Sequence, residues 1–305
     1  MKLGLVSTIA GAMTFEELID FARETGLECI EAGSWPKEEA GSGYAVCHVD
    51  AERVLEDAAY KEHVISYAKD RGIVLSALTY FANPMNPDPE KQASVVRHLK
   101  NMILAAKELG VGLVSTFIGR DQNKSVEENL KSVAAVWDPI LECAEKAGVK
   151  IAIENCPMLF GAYQWPGGTN LMSTPAIWRQ VFEILPSKNL GLNYDPSHFI
   201  WQMIDYIKPI YEFKDRIFHV HMKDVKLYKE KLDDVGIMAY PVQYMTAKLP
   251  GLGNVDFGKY ISALNDIRYE GFACIEVEDE AYQGSPEDVK RAIRISTKYL
   301  RNYIL

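Results

Sequence analysis

The chain has 305 residues, 48% hydrophobic and 25% charged, an ordinary globular balance with enough apolar material for a sizeable core. Its net charge of -9, with no local run of Lys and Arg, argues against a nucleic-acid partner held through phosphate charge. No stretch of about 18 apolar residues occurs, which excludes an ordinary membrane-spanning helix.

In chain order, apolar runs alternate with helical patterns. The run Leu3–Ser7 predicts a first strand, and Thr14-Phe15-Glu16-Glu17 is a capping box that opens a helix ending at Gly26. Cys29–Ala32 and Val74–Leu78 are the next strands. Asp88-Pro89 then places a cap and a first-turn proline ahead of the stripe Val96, Leu99, Met102, Ile103 and Ala106, which stops at Gly110. Leu113–Phe117 precedes a second capping box, Ser125 to Glu128, whose helix closes at Gly148. Lys150–Ile153, Leu190–Tyr194, Ile217–His221 and Ala273–Val277 complete eight strands, with further helix starts at Thr174-Pro175 and Ser285-Pro286. The runs do not alternate strictly, which suits parallel strands buried on both faces. Eight β-then-α units predict an α/β fold, a (β/α)8 TIM barrel forming one domain over 1–305. The competing open doubly wound sheet lacks its glycine-rich first turn here.

Three connections are long: Ser34 to about Glu56, Asn155 to Thr174, and Lys223 to Phe257. All follow strands, so in a barrel they lie on the active-site face. Their residues Trp35, Tyr44, Tyr163, Trp165, Tyr228, Tyr240 and Tyr244 suit a covered pocket for a small polar ligand. The cysteines Cys29, Cys47, Cys143, Cys156 and Cys274 show no paired spacing and read as reduced thiols. With an N-terminal apolar run too short for a signal peptide, this points to a cytoplasmic location, where the sequon Asn123-Lys124-Ser125 carries no meaning.

Four consecutive strands end in a potential metal ligand. These are Glu154, Asp195 in Asp195-Pro196-Ser197-His198, His221 in His219-Val220-His221-Met222-Lys223-Asp224, and Glu276. Neighbouring strand ends converge above a barrel, and three carboxylates with one imidazole suit one divalent ion: Mn2+ first, with Co2+, Mg2+ or Zn2+ as alternatives. The plain alternative for each carboxylate is an ion pair at the barrel rim. Of the strand-seven histidines, alternation puts both on one face, but His221 is nearer the C-terminal end; His219 is then a core or supporting residue. His198 is either a capping or a catalytic histidine. Lys223 is either a substrate-binding cation or the partner of Asp224. Arg120, Trp35 and Tyr80 are pocket walls or packing, and Asn155 either faces the pocket or holds its loop. A zinc site on Cys47 and His48 alone is a poor reading, and His63 and His98 fall within helices as surface or packing residues.

These stretches, together with Gly251-Leu252-Gly253-Asn254-Val255-Asp256-Phe257, resemble the sugar isomerase/epimerase group of xylose-isomerase-like barrels, which also contains endonuclease IV. The resemblance runs from Met1 to about Tyr299 and implies that Glu154, Asp195, His221 and Glu276 bind the metal, with His198 close by or touching substrate. Endonuclease IV has extra histidines at the third and fourth strand ends. Here those ends read Ala77-Leu78-Thr79-Tyr80 and Thr116-Phe117-Ile118-Gly119-Arg120, so a trinuclear DNA-repair site is not expected. Ketose 3-epimerases of the group carry a glutamate and an arginine where this chain has Phe160 and Leu227.

The expected activity is therefore a metal-dependent sugar isomerase or epimerase, in which Glu154 or Glu276 removes a proton beside a carbonyl. The runner-up is a keto-sugar lyase, either a dehydratase or a 3-keto-glycoside or C-glycoside eliminase. A non-catalytic sugar-binding barrel is the third reading. The expected partner is a small sugar or keto-sugar, with neither nucleic acid nor membrane; barrels of this kind often form homo-oligomers.

Overall fold

A computed structural model describes residues 1–41, 43–159 and 167–304. Eight strands close into a barrel: β1 (Lys2–Val6), β2 (Cys29–Gly33), β3 (Val74–Tyr80), β4 (Leu113–Thr116), β5 (Lys150–Glu154), β6 (Leu190–Tyr194), β7 (Ile217–Met222) and, after a two-stranded insert, β10 (Phe272–Ile275). Their order is β1-β10-β7-β6-β5-β4-β3-β2, with every barrel pairing parallel. The expected (β/α)8 TIM barrel is therefore the observed one.

The helices begin where the sequence signals them. Both capping boxes form, at Thr14 with Glu17 and at Ser125 with Glu128. Asp88, Thr174 and Ser285 cap the helices Pro89–Leu109, Pro175–Ile184 and Pro286–Leu300. Each capping oxygen satisfies an N–H that the first helical turn leaves unpaired. Apolar stripes such as Leu99, Met102, Ile103 and Ala106 pack inward, in one continuous core with the outward strand residues Leu3, Leu5, Ile30 and Val220.

Inside the barrel the residues are unusually polar. Glu31, Ser76, Ser115, Asn193 and His219 are all buried there. Register shifts occur at Ile30/Glu31 against β3 and at Leu192/Asn193 against β7. Such bulges re-aim side chains at a local cost in pairing, and they sit where Glu31 and Asn193 enter the interior.

The connection from Lys223 to Phe257, expected as a long loop, is built. It contains the antiparallel pair β8 (Asp224–Leu227) and β9 (Met245–Lys248), and the helix Lys229–Val235. Trp201, Val225, Leu232 and Tyr244 give this insert a small core of its own. Asp224 anchors it by accepting N–H bonds from Val225, Gly251, Gly253 and Val255 at 2.8–3.0 Å. A Cβ on Gly253 would stand 2.2 Å from Asp224 Oδ1, which explains the glycine in the Gly251–Phe257 stretch. No helix among the described residues is long and apolar enough to cross a membrane.

Candidate metal centre

The strand ends place Glu154, Asp195, His221 and Glu276 together, with one ligand atom of each within 4.8 Å of the others. All four are buried, Asp195 and His221 completely. Short backbone links hold them. Asp195 Oδ1 accepts from the Ser197 N–H at 2.8 Å, which turns Oδ2 toward the cluster. Asn155 donates to the Asp195 carbonyl at 2.9 Å and accepts from its N–H at 2.7 Å. Both ends of that carboxamide thus clamp β5 to β6, the loop-holding role of the two that the sequence offered for Asn155.

Whether these residues fit a metal is tested by their unpaired atoms. Among the described residues, the buried side-chain atoms without a hydrogen-bond partner are Glu154 Oε1, Asp195 Oδ2, His221 Nδ1, Glu276 Oε2, His198 Nε2 and Arg120 Nε. Five of the six face one point. His221 Nδ1 lies 3.0 Å from Glu276 Oε2 and 3.7 Å from Glu154 Oε1, yet none of these pairs forms an aligned hydrogen bond. Buried polar atoms rarely stay unpaired, because each loses hydration without compensation. A divalent cation bound by three carboxylate oxygens and an imidazole nitrogen resolves four of these orphans at once. The cluster forms a single divalent-metal site.

The other nitrogen of His221 explains its orientation. Nε2 lies 2.9 Å from Glu31 Oε2, and Glu31 is fully buried. Donation from Nε2–H to this carboxylate leaves the Nδ1 lone pair aimed at the cluster, the usual support for a metal-binding histidine. Below it, His219 Nδ1 donates to Asn193 Oδ1 and Nε2 accepts from Ser76, both at 3.1 Å. His219 is thus the supporting residue that its position in the strand suggested. Sequence reasoning missed Glu31. The available signal was a lone carboxylate in the middle of the apolar run Cys29–Ala32, where a strand buried on both faces must give it a partner.

Charge in this centre is strongly organised. Burial alone would raise the Glu31 carboxyl, but His221 and His219 outweigh it and hold it at about 2. Glu154 is likewise held at about 2, its burial outweighed by His198 and His221. Burial, opposed by Lys223 and His221, pushes Glu276 up. His198 Nε2 stands 3.3 Å from Glu154 and 3.2 Å from Asp195. Burial works against its charge, but Cys156 and Asp195 keep its proton affinity well above the usual histidine range. The helix Ser197–Trp201 takes no side-chain cap, so His198 is not a capping histidine.

Lys223 is buried, with Nζ 2.5 Å from Glu278 and 3.5 Å from Glu276. Desolvation would lower its proton affinity, yet Glu276, Glu278, Asp195 and Glu154 raise it, so it stays an ammonium. Its partner is not Asp224, whose carboxylate is taken up by backbone N–H groups. Glu278, two residues beyond the strand-eight ligand, is a second residue that sequence reasoning passed over.

The pocket-wall candidates divide. Arg120 donates to the Gly167 carbonyl at 2.5 Å and lines a cavity with Phe81, Phe117 and Met158. Phe81 stacks on Phe117 at 5.0 Å and meets the His221 ring edge-on at 6.4 Å. Trp35 and Tyr80 are buried against each other at 5.7 Å, and the Trp35 ring lies 6.0 Å from Phe81. His98 is buried between Glu52 and the Ser34 carbonyl, His63 pairs with Glu16, and His48 bonds Ser7 and Ala10. Among the described residues, no group placed to hold a metal ion includes Cys47 or His48. Phe160, Tyr163 and Trp165 lie outside the described residues.

A closed parallel barrel with a carboxylate-and-imidazole cluster at the C-terminal ends of its strands defines a metal-binding TIM barrel. The chain belongs to the xylose isomerase-like TIM barrel family, which it matches over residues 19–303. It is similar to the uncharacterized protein YfiH of Bacillus subtilis, at 25% identity over 100% of this chain and 99% of that one. It is also 25% identical to an inosose dehydratase of Clostridium perfringens, over 57% of this chain and about half (55%) of that enzyme. The crystal structure of the IOLI protein with a bound zinc atom superposes with a TM-score of 0.73 at 20% identity, covering 100% and 99% of the two chains.

Proposed function

We propose that the protein is a metal-dependent lyase acting on a keto-sugar or related keto-polyol, removing the proton beside the carbonyl and expelling a group from the next carbon. The observation that carries this reading is the convergence of five buried, unpartnered atoms on one point beside a buried ammonium. Glu154, Asp195, His221 and Glu276 would hold the ion, Mn2+ by the hardness of its three carboxylates or Zn2+ as in the IOLI relative. When bound, the ion supplies Lewis-acid stabilisation of the negative charge that develops on a carbonyl oxygen.

Lys223, kept as an ammonium by four carboxylates, donates to a substrate oxygen and favours the same developing charge. Glu276, whose Oε2 lies 3.5 Å from the Lys223 ammonium that would face a substrate oxygen, is the proposed base. Glu154, 3.7 Å from His221 Nδ1 within the cluster, serves as ligand. His198 carries the proton that the departing group needs. Arg120 and Phe81 flank the site as substrate walls.

Isomerisation or epimerisation, the leading expectation from the sequence, shares the first proton transfer. Elimination is favoured because several relatives are named inosose dehydratases, and because Leu227 stands where the ketose 3-epimerases carry arginine. The test is solvent proton exchange and product analysis on a panel of free and keto-sugars in D2O, alongside the metal content of the purified protein. Metal-dependent exchange with an unsaturated product is expected, and Glu276→Gln should lower it by at least about a hundredfold. An isomer or epimer as the sole product would return the assignment to the first expectation. Near-wild-type turnover in both Glu276→Gln and Glu154→Gln would sink the proton-transfer mechanism altogether.

A further inference from the structure

A second cavity, of about 280 Å3, opens directly beside the metal cluster. Its polar end is made by His198, Lys223 and Glu278, within 2.5–3.5 Å of one another or of the cluster carboxylates. Apart from Ser197 and Asp224, most of the remainder is apolar, walled by Met158, Leu159, Trp201, Tyr240, Val242 and Met245. We propose that this cavity is a subsite for an apolar, aromatic substituent, so that the substrate is a sugar carrying such an aglycone rather than a free sugar. The inference rests on the sugar-site reading above and names the substrate class of that site.

Three observations carry it. The wall is built: Trp201, Val225 and Tyr244 belong to the insert's own core, Asp224 fixes the insert through four N–H bonds, and Lys248 ties β9 to Asp279 at 2.9 Å. The Tyr240 hydroxyl also reaches the Leu159 carbonyl at 3.4 Å, joining the insert to the connection after β5. The chemistry is divided: a free sugar is polar all round and would leave hydroxyls against Met158, Val242 and Met245 without partners. The size and lining fit a ring system. An apolar cavity of roughly 150 Å3 takes up benzene, and methionine thioethers and aromatic edges are favourable neighbours for aromatic faces.

The test is calorimetric binding of matched 4-nitrophenyl and methyl glycosides to the metal-loaded protein. The panel comprises both anomers of glucose, galactose, mannose and xylose. At least one aromatic glycoside should bind about tenfold or more tightly than its methyl counterpart, equivalent to about 1.4 kcal/mol. In Val242→Asp and Met245→Asp that ratio should fall to near one. Val242 is 57% exposed at the rim, so its variant does not depend on the core for folding. If no pair shows a preference, or if neither variant reduces one, the subsite is overturned. A clear preference without proton exchange on any keto-sugar would uphold the subsite and reject the lyase reading.

Discussion

Glu31 shows how one buried carboxylate directs a metal-binding nitrogen. It lies 2.9 Å from His221 Nε2 and receives Asn193 Nδ2 at 3.3 Å, so it holds the imidazole in one orientation and favours the tautomer with the proton on Nε2. Removing the negative charge weakens that tautomer preference without emptying the space. Glu31→Gln is therefore expected to weaken metal affinity about tenfold or more, read by competitive metal titration, with the circular dichroism spectrum unchanged. Unaltered affinity would show that packing alone orients His221. Lys223 acts differently, because its ammonium contributes charge beside the cluster rather than geometry.

At the scale of elements, the insert and the helices are secured by buried polar anchors. Asp224 accepts four backbone N–H groups that no other acceptor serves, and burial pushes its carboxyl upward against those bonds. Asp224→Ala leaves these donors unpaired, at a cost of about 2–4 kcal/mol in denaturant unfolding. The same variant should blunt the preference for aromatic glycosides, since the wall bearing Val242 and Met245 hangs from this anchor. A second anchor joins the helix Ala51–Glu56 to the helix Pro89–Leu109, where buried His98 donates to Glu52 and to the Ser34 carbonyl, both at 2.7 Å.

The sign of its pH dependence follows from the two shifts. Burial lowers the His98 proton affinity, but Glu52 and the Ser34 carbonyl raise it above the usual 6.5 on balance. Its contribution is full below 6.5 and is lost as pH rises through the raised value. Glu52 is lowered from 4.5 to about 2, chiefly by His98, so its contribution is present above 4.5 and lost as pH falls toward about 2. The stability difference between the wild type and His98→Gln should therefore be largest between pH 4.5 and 6.5 and shrink on either side. A difference independent of pH would mean that the pair contributes through packing alone.

For the whole molecule, the barrel brings ligands from four strands to one point, so metal and fold are thermodynamically linked. An ion that binds only the folded chain stabilises it by about 2.7 kcal/mol at a hundredfold excess over its dissociation constant. Addition of Mn2+ or Zn2+ to chelator-treated protein should raise Tm by several degrees in a scanning measurement, and Asp195→Asn should remove most of that rise. The absence of any metal-dependent shift would contradict the site.

Much of this was legible in the chain. Eight apolar runs with capped helices between them dictate a barrel, because buried parallel strands and amphipathic helices leave few other ways to cover both faces of the sheet. Glu154, Asp195, His221 and Glu276 could be read because a strand end has a known direction in a barrel, and adjacent ends meet. What only the tertiary structure decided concerns side chains whose partners are remote in sequence. Glu31 meets His221 across 190 positions, Asn155 clamps β5 to β6 through Asp195, and Lys223 chooses Glu278 over Asp224. The β8–β9 insert was equally hidden. Its strands are four residues each, too short to declare a period, and they are held by an aspartate whose four donors come from Val225 and from positions 251 to 255. Local pattern determines elements and their direction; the pairing of buried charges is settled by the closed barrel, because only there does leaving one unpaired carry its full desolvation cost.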